Sequence, residues 1–161
     1  MVYSGMGPDA RLLLTKARKV ALTYLSVYGC HPPVYTVVRQ LAAVMQEYTQ
    51  SGGVRPFGVS LLVVGTDETG ASLYQVDPSG TYWAWKSGAI GKGAANARSF
   101  LEKRYGEMEA EDAVHLALLA LKETFEGQMS SDNIEIGIAD HRTGNFTVLS
   151  PDSIQDYLSN L

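Results

Sequence analysis

The sequence predicts an α+β fold in which paired helices alternate with antiparallel sheet. Three observations predict it. Apolar residues recur at three- and four-residue steps in two separate blocks, each long enough for a pair of helices. Short β-rich runs bounded by glycine lie after each block. Those runs follow one another at hairpin spacing, with no helix between them, which argues for antiparallel pairing.

The elements are justified in chain order. "MVYSGMGPD" passes almost at once from apolar residues into a glycine turn, as though an earlier strand ended there. Pro8 and Asp9 suit the first turn of a helix, because proline gives up no needed donor there and a carboxylate favours the positive end of the helix dipole. Leu14, Ala17, Ala21, Tyr24 and Tyr28 then make the expected apolar stripe, and Gly29 closes the helix. "HPP" breaks the chain. A second helix runs from about Val34, with Val37, Leu41, Val44, Met45 and Tyr48 on one side, and stops in "QSGG". "GVSLLVVGTD" and "ASLYQVDPSG" read as strands, the latter ending in a turn at Asp77, Pro78 and Gly80. "TYWAWKSGAIG" continues as short strands. Helices return at "GAANARSFLEKRY" and "EAEDAVHLALLALKETFEG", the latter with a stripe at Val114, Ala117, Leu118 and Leu121 and Gly127 just past its end. "NIEIGIAD" and "NFTVLS" flank a turn at "HRTG", and Pro151 opens a short last helix. The order is two helices, four strands, two helices, two strands and one helix.

Composition bounds the function. The chain has 161 residues, is 45% hydrophobic and 19% charged, and is read as one globular domain, 1–161. A net charge of −4 provides no global field toward nucleic acid. Cys30 is the single cysteine, so no internal disulfide forms, which fits a reducing compartment. Neither end resembles a secretory signal, and the apolar runs are too short to span a bilayer. No nucleic-acid or membrane partner is expected.

The stretch "SGAIGKGAAN", residues 87–96, raises the question of a phosphate cradle. A Walker loop needs Gly, four residues, Gly-Lys, and then Ser or Thr to hold magnesium. Gly88 lies only three residues before Gly91, and Gly93 stands where the hydroxyl belongs. The better reading is a strand end meeting a helix start. His31, His115 and His141 have no histidine or cysteine at ligand spacing, so no zinc site is expected. Cys30 and His31 are sequence neighbours and make a poor catalytic dyad. Glu107, Glu109, Glu111 and Asp112 read as a solvated helix start. Lys16, Arg18 and Lys19 form a small basic face on the first helix, fit for a protein partner or for solvent. The sequence offers no catalytic, cofactor-binding or metal-ligating residue.

The segments "VYSGMGPDARLL", "MQEYTQSGGVRPFGVSLLVVG", "YQVDPSGTYWAWKSGAIGKG", "FLEKRY" and "ETFEGQMSSDNIEIGI" together resemble an α-type subunit of the 20S proteasome, with the eukaryotic α2 type the closest in pattern. The resemblance covers nearly the whole chain and keeps the order of the segments. It implies the N-terminal-nucleophile hydrolase fold, a four-layer αββα sandwich of antiparallel sheets. It implies that this chain is the C-terminal two-thirds of such a subunit, lacking the N-terminal gating tail, helix and strands that precede the "VYSGMGPD" position, together with the lysine pocket for activator tails.

Proteolytic β subunits of the superfamily use an N-terminal threonine and carry a Gly-Ser-Gly at the position resembling Gly91-Lys92-Gly93. Here the start is Met1-Val2, Lys92 replaces the serine, and a supporting acid aligns with Gly127. The resemblance therefore implies a non-catalytic scaffold subunit, with an active N-terminal-nucleophile hydrolase as the alternative. Expected partners are neighbouring α subunits of a seven-membered ring, β-ring subunits, and regulatory particles acting through the assembled ring. The first two helices are expected to face the β ring, with Lys16, Arg18 and Lys19 as candidate subunit contacts. The expected location is cytoplasmic and nuclear, and the expected role is support of ubiquitin- and ATP-dependent protein degradation.

Overall fold

The computed structural model describes residues 1–161. The chain divides into two compact units, Met1–Lys86 and Ser87–Leu161.

In the first unit the elements are β1 (Val2–Gly5), α1 (Gly7–Tyr28), α2 (Val34–Gln50), β2 (Val59–Asp67), β3 (Gly70–Val76) and β4 (Tyr82–Trp85). The four strands form one antiparallel sheet in the order β1-β2-β3-β4. Alternation sorts β2 into two faces. Val59, Leu61 and Val63 are buried, and Leu61 stands opposite Val76. They share a core with Ala10 and Leu13 of α1 and with Val34, Val38, Leu41, Ala42 and Met45 of α2. The other face carries Leu62, Gln75 and Trp83 in register, with Val64, Leu73 and Trp85 in the next row.

The β3–β4 turn is built by hydrogen bonds from Gly80 N to the Asp77 carbonyl and from Asp77 N to the Thr81 carbonyl. Gly80 has φ +81°, and a Cβ there would lie 2.6 Å from the Ala42 carbonyl oxygen, so the turn can press against α2 only as glycine.

The second unit holds α3 (Ala94–Arg104), α4 (Ala110–Lys122), the antiparallel hairpin β5 (Gly137–Asp140) and β6 (Asn145–Val148), and α5 (Pro151–Ser159). Val114, Leu118, Ile134 and Ile154 form its buried cluster. The hairpin turn is an Asx arrangement: Arg142 N and the Thr143 hydroxyl donate to the Asp140 carboxylate. The Arg142 N–H is the main reason that this carboxyl lies below its ordinary pKa. Ser150 caps α5 by accepting from Ser153 N, and Pro151 follows in the first turn.

The structure departs from the sequence reading at five places. Residues 2–5 are a strand, paired antiparallel from Val2 opposite Leu62 to Gly5 opposite Val59. Only three strands follow α2, since residues 87–91 are loop; the fourth member of the sheet is β1, whose partner is remote in sequence. In α1 the buried residues are Ala10 and Leu13, whereas Leu14, Ala17, Ala21 and Tyr24 are half-buried and Tyr28 is exposed. This helix is apolar round much of its girth, so periodicity does not single out its inner face. In α4, Val114, Leu118 and Ala120 are buried, whereas Ala117 and Leu121 are exposed. The strand expected over 133–140 is ordered as β only from Gly137, although Leu149 N still reaches the Ile136 carbonyl.

Candidate subunit-contact surface

The first unit's two helices frame a recess. Gly29, at φ +74°, ends α1 with its N–H on the Leu25 carbonyl. Pro32 and Pro33 then stop any continuation, and Thr36 N bonds back to Pro33. Val34 N donates to Asp67 Oδ2 at 3.2 Å, so a carboxylate from the end of β2 sits on the positive end of α2.

Between the two helices lies a groove of about 490 Å³. Val20, Tyr24, Leu41 and Val44 give it apolar walls, and Lys16 and Lys19 stand among its lining residues. Lys16, Arg18 and Lys19 are all exposed. Lys16 and Lys19 line the groove and Arg18 does not, as the 100° step of a helix requires when residues three apart share a side.

The start of α1 is fixed by a clasp that sequence spacing did not reveal. Asp9 accepts from both Arg55 terminal nitrogens, at 2.7 and 2.9 Å, and from Gly58 N at 2.9 Å. These bonds, the Arg55 ones foremost and then that from Gly58, hold the Asp9 carboxyl down at about 2. The helix dipole is thus only part of what Asp9 meets. The "GGVRPFG" glycine-proline loop was the one signal that a backbone amide and an arginine were being presented to something.

The 87–96 loop belongs to the second unit. Gly91 and Gly93 have φ +94° and +72°. The N–H of Ala94 is taken by the Gly91 carbonyl, and those of Asn96 and Ala97 by the Gly93 carbonyl. A phosphate cradle would need these amides free. Lys92 Nζ instead donates to Glu126 Oε2 at 2.8 Å, both side chains being about four-fifths exposed. A Cβ on Gly93 would lie 2.7 Å from Thr124 Cβ, so the loop is held close to the segment that follows α4. The carboxylate next to Gly127 is thus occupied by a lysine, and no hydroxyl stands between Gly91 and Gly93.

The remaining candidates stay apart. Cys30 and His31 are exposed in the α1–α2 connection, and His141 is exposed in the hairpin turn. His115 packs edge-on against Tyr157, ring centroids 5.1 Å apart. Glu109 pairs with Arg142 at 2.9 Å, whereas Glu107, Glu111 and Asp112 are exposed at or near the start of α4. No group of three or more His, Cys, Asp or Glu side chains is placed to hold a metal ion, and no helix is long and apolar enough to cross a membrane.

Paired helices and antiparallel sheets, with Lys92 and Glu126 paired at the glycine loop, fit the N-terminal-nucleophile hydrolase fold. The chain belongs to the proteasome subunit family, whose model matches residues 1–139. It is 58% identical over 173 residues to a probable proteasome subunit alpha type-2 of Schizosaccharomyces pombe, covering 100% of this chain and 71% of the relative. It is 59% identical over 162 residues to proteasome subunit alpha type-2 of Drosophila melanogaster, covering 100% and 68%. Proteasome subunit alpha type-2-A of Arabidopsis thaliana is 59% identical over 163 residues, again with 100% and 68% covered. The chain is therefore of the α type, which is non-catalytic.

Proposed function

We propose that this chain is a structural subunit of the 20S proteasome α ring, folded as a single domain with the rest of its subunit. It packs beside other α subunits and lays its first helical layer on the β ring. Lys16, Arg18 and Lys19 are its candidate contacts there. Regulatory particles act on it through the assembled ring, and nucleic acid and membrane are not partners. It works in the cytoplasm and nucleus, supporting ubiquitin- and ATP-dependent degradation whose peptide-bond chemistry belongs to β subunits.

The observation that carries this reading is the full-length identity of 58–59% to chains named alpha type-2. The Lys92–Glu126 pair in the would-be active-site loop supports it. Expression of a tagged copy beside the other subunits tests it. The chain is expected to co-migrate with active 20S particles on native gels, while the purified chain leaves fluorogenic peptides uncut. Turnover by the lone chain that one substitution here abolishes, or failure to enter particles, would overturn the reading.

A further inference from the structure

The fold brings two tyrosines together from 47 residues apart. Tyr35 is the second residue of α2 and Tyr82 the first of β4. Their hydroxyl oxygens lie 3.2 Å apart and share a hydrogen bond, and the rings meet edge-on with centroids 6.0 Å apart. Each partner has its own anchor. Val34 N, beside Tyr35, donates to Asp67 Oδ2 and ties the start of α2 to the end of β2. Two residues before Tyr82, Gly80 sets the β3–β4 turn against the Ala42 carbonyl and Gln46. Tyr82 packs on the buried core, whereas Tyr35 keeps 45% exposure and is open to solutes. The hydrogen bond with Tyr35, and burial after it, raise the Tyr82 hydroxyl above its ordinary pKa, so it stays protonated at neutral pH.

We propose that Tyr35 and Tyr82 form a site of oxidative modification, at which a peroxide-derived one-electron oxidant couples them into a dityrosine strap between α2 and β4. Each phenol gives one electron to the oxidant and its hydroxyl proton to water. The two phenoxyl radicals carry spin on the ring carbons ortho to oxygen, and they join through those carbons. Each ring then returns the hydrogen of its newly bonded carbon to its oxygen, which restores both phenols. One C–C bond forms, two C–H bonds break, and the chain loses two hydrogens. The two electrons reduce the O–O bond of the peroxide. Coupling requires the oxygen-bearing edges of two rings to be neighbours, and the shared hydroxyl bond holds them so. Exposure alone would favour Tyr3, Tyr28 or Tyr105, each at least as exposed as Tyr35. The Tyr24 and Tyr28 rings are close too, at 4.4 Å, but they sit one turn apart on a single helix.

The test oxidises the whole chain, dilute and native, with a photoexcited ruthenium polypyridyl complex and persulfate, a peroxide that yields one-electron oxidants. The monomer band is expected to gain dityrosine fluorescence. Digestion is expected to give a linked pair of peptides, one holding Tyr35 and the other Tyr82, lighter by two hydrogens than their sum. In urea the yield of that pair is expected to fall by about tenfold or more, because only the fold supplies the proximity. Tyr35→Phe and Tyr82→Phe should each abolish the pair, with circular dichroism unchanged, and Tyr24→Phe should leave it intact. Monomer dityrosine that maps to Tyr24–Tyr28 instead, links only between molecules through Tyr3, Tyr28 or Tyr105, or an equal yield in urea would each overturn the assignment. So would a linked peptide pair that survives Tyr82→Phe.

Discussion

The two units bury their apolar residues to different depths. In Met1–Lys86 seven large side chains, among them Leu13, Leu41, Met45 and Leu61, are less than 2% exposed. In Ser87–Leu161 no side chain is, and the best covered, Leu118 and Ile154, keep 3%. The first unit has a four-stranded sheet under two long helices, the second a two-stranded hairpin whose β6 is exposed at every residue, Phe146 and Val148 included. Charge divides the same way: the first unit has seven Lys and Arg to five Asp and Glu, the second six to twelve, giving +2 and −6. The contrast teaches that one half of the chain closes its own core, while the other leaves a short hairpin that needs cover. A two-stranded hairpin is marginal on its own in water.

The largest expected effect of this contrast is in hydrogen exchange. Amides in β2 and β3 should outlast those in β5 and β6 by at least about 100-fold, since local opening spans the range from near zero to the global stability. Equal protection would erase the distinction between the units. Leu61→Ala comes next. It should lower stability by about 2–5 kcal/mol, against the low end of that range for Ile154→Ala, because the deeper site leaves the larger unfilled cavity. Both tryptophans lie in β4, so urea unfolding followed by fluorescence reports the first unit and circular dichroism reports the whole. Fluorescence should change at higher urea than the helical signal. Coincident transitions for wild type and both variants would show a single cooperative body.

Gly80→Ala should cost the first unit about 1–3 kcal/mol, by forcing a side chain into φ +81° against α2. The same change at Gly106, where nothing crowds a Cβ, should be close to neutral.

How far these features were legible in the sequence follows from separation along the chain. The second helix was readable because Pro32 and Pro33 mark its start and its stripe is unambiguous. The α5 start was readable from Pro151. β1 was not, because four residues make no pattern and their partner begins at Val59. The groove's cations were visible as a basic face, but which of them share a side with the recess depended on the packing of α2. Neither the Asp9–Arg55 clasp, 46 residues apart, nor the Lys92–Glu126 pair, 34 apart, leaves a mark in local spacing.

The pH response should be smaller, and its tryptophan-detected part comes from the first unit. The Asp9 carboxyl is held at about 2 when folded, against 3.8 for the free side chain. A depressed folded pKa means that its contribution is complete above the free value and is lost as pH falls through that window toward 2. Asp9→Asn should therefore flatten the tryptophan-detected acid transition between pH 4 and 2. An unchanged acid limb would show that the clasp does not stabilise the fold. Smallest of all, Lys92→Ala should shift stability by less than about 0.5 kcal/mol, as exposed ion pairs do. Calorimetry should find no ATP or GTP binding in the parent chain at millimolar nucleotide.

The pairing of β1 with β2 also sets a schedule for synthesis. Val2 cannot meet Leu62 until 60 more residues have been made, and both long helices lie between them. At roughly 5–20 residues per second a ribosome takes about 3–12 s to supply that partner. Throughout that interval Val2 and Tyr3, which remain more than half exposed even in the finished sheet, are without their partner in β2. A nascent chain stalled shortly before Val59 would therefore carry β1 without its β2 partner beside two amphipathic helices. That interval is when a chaperone has most to hold.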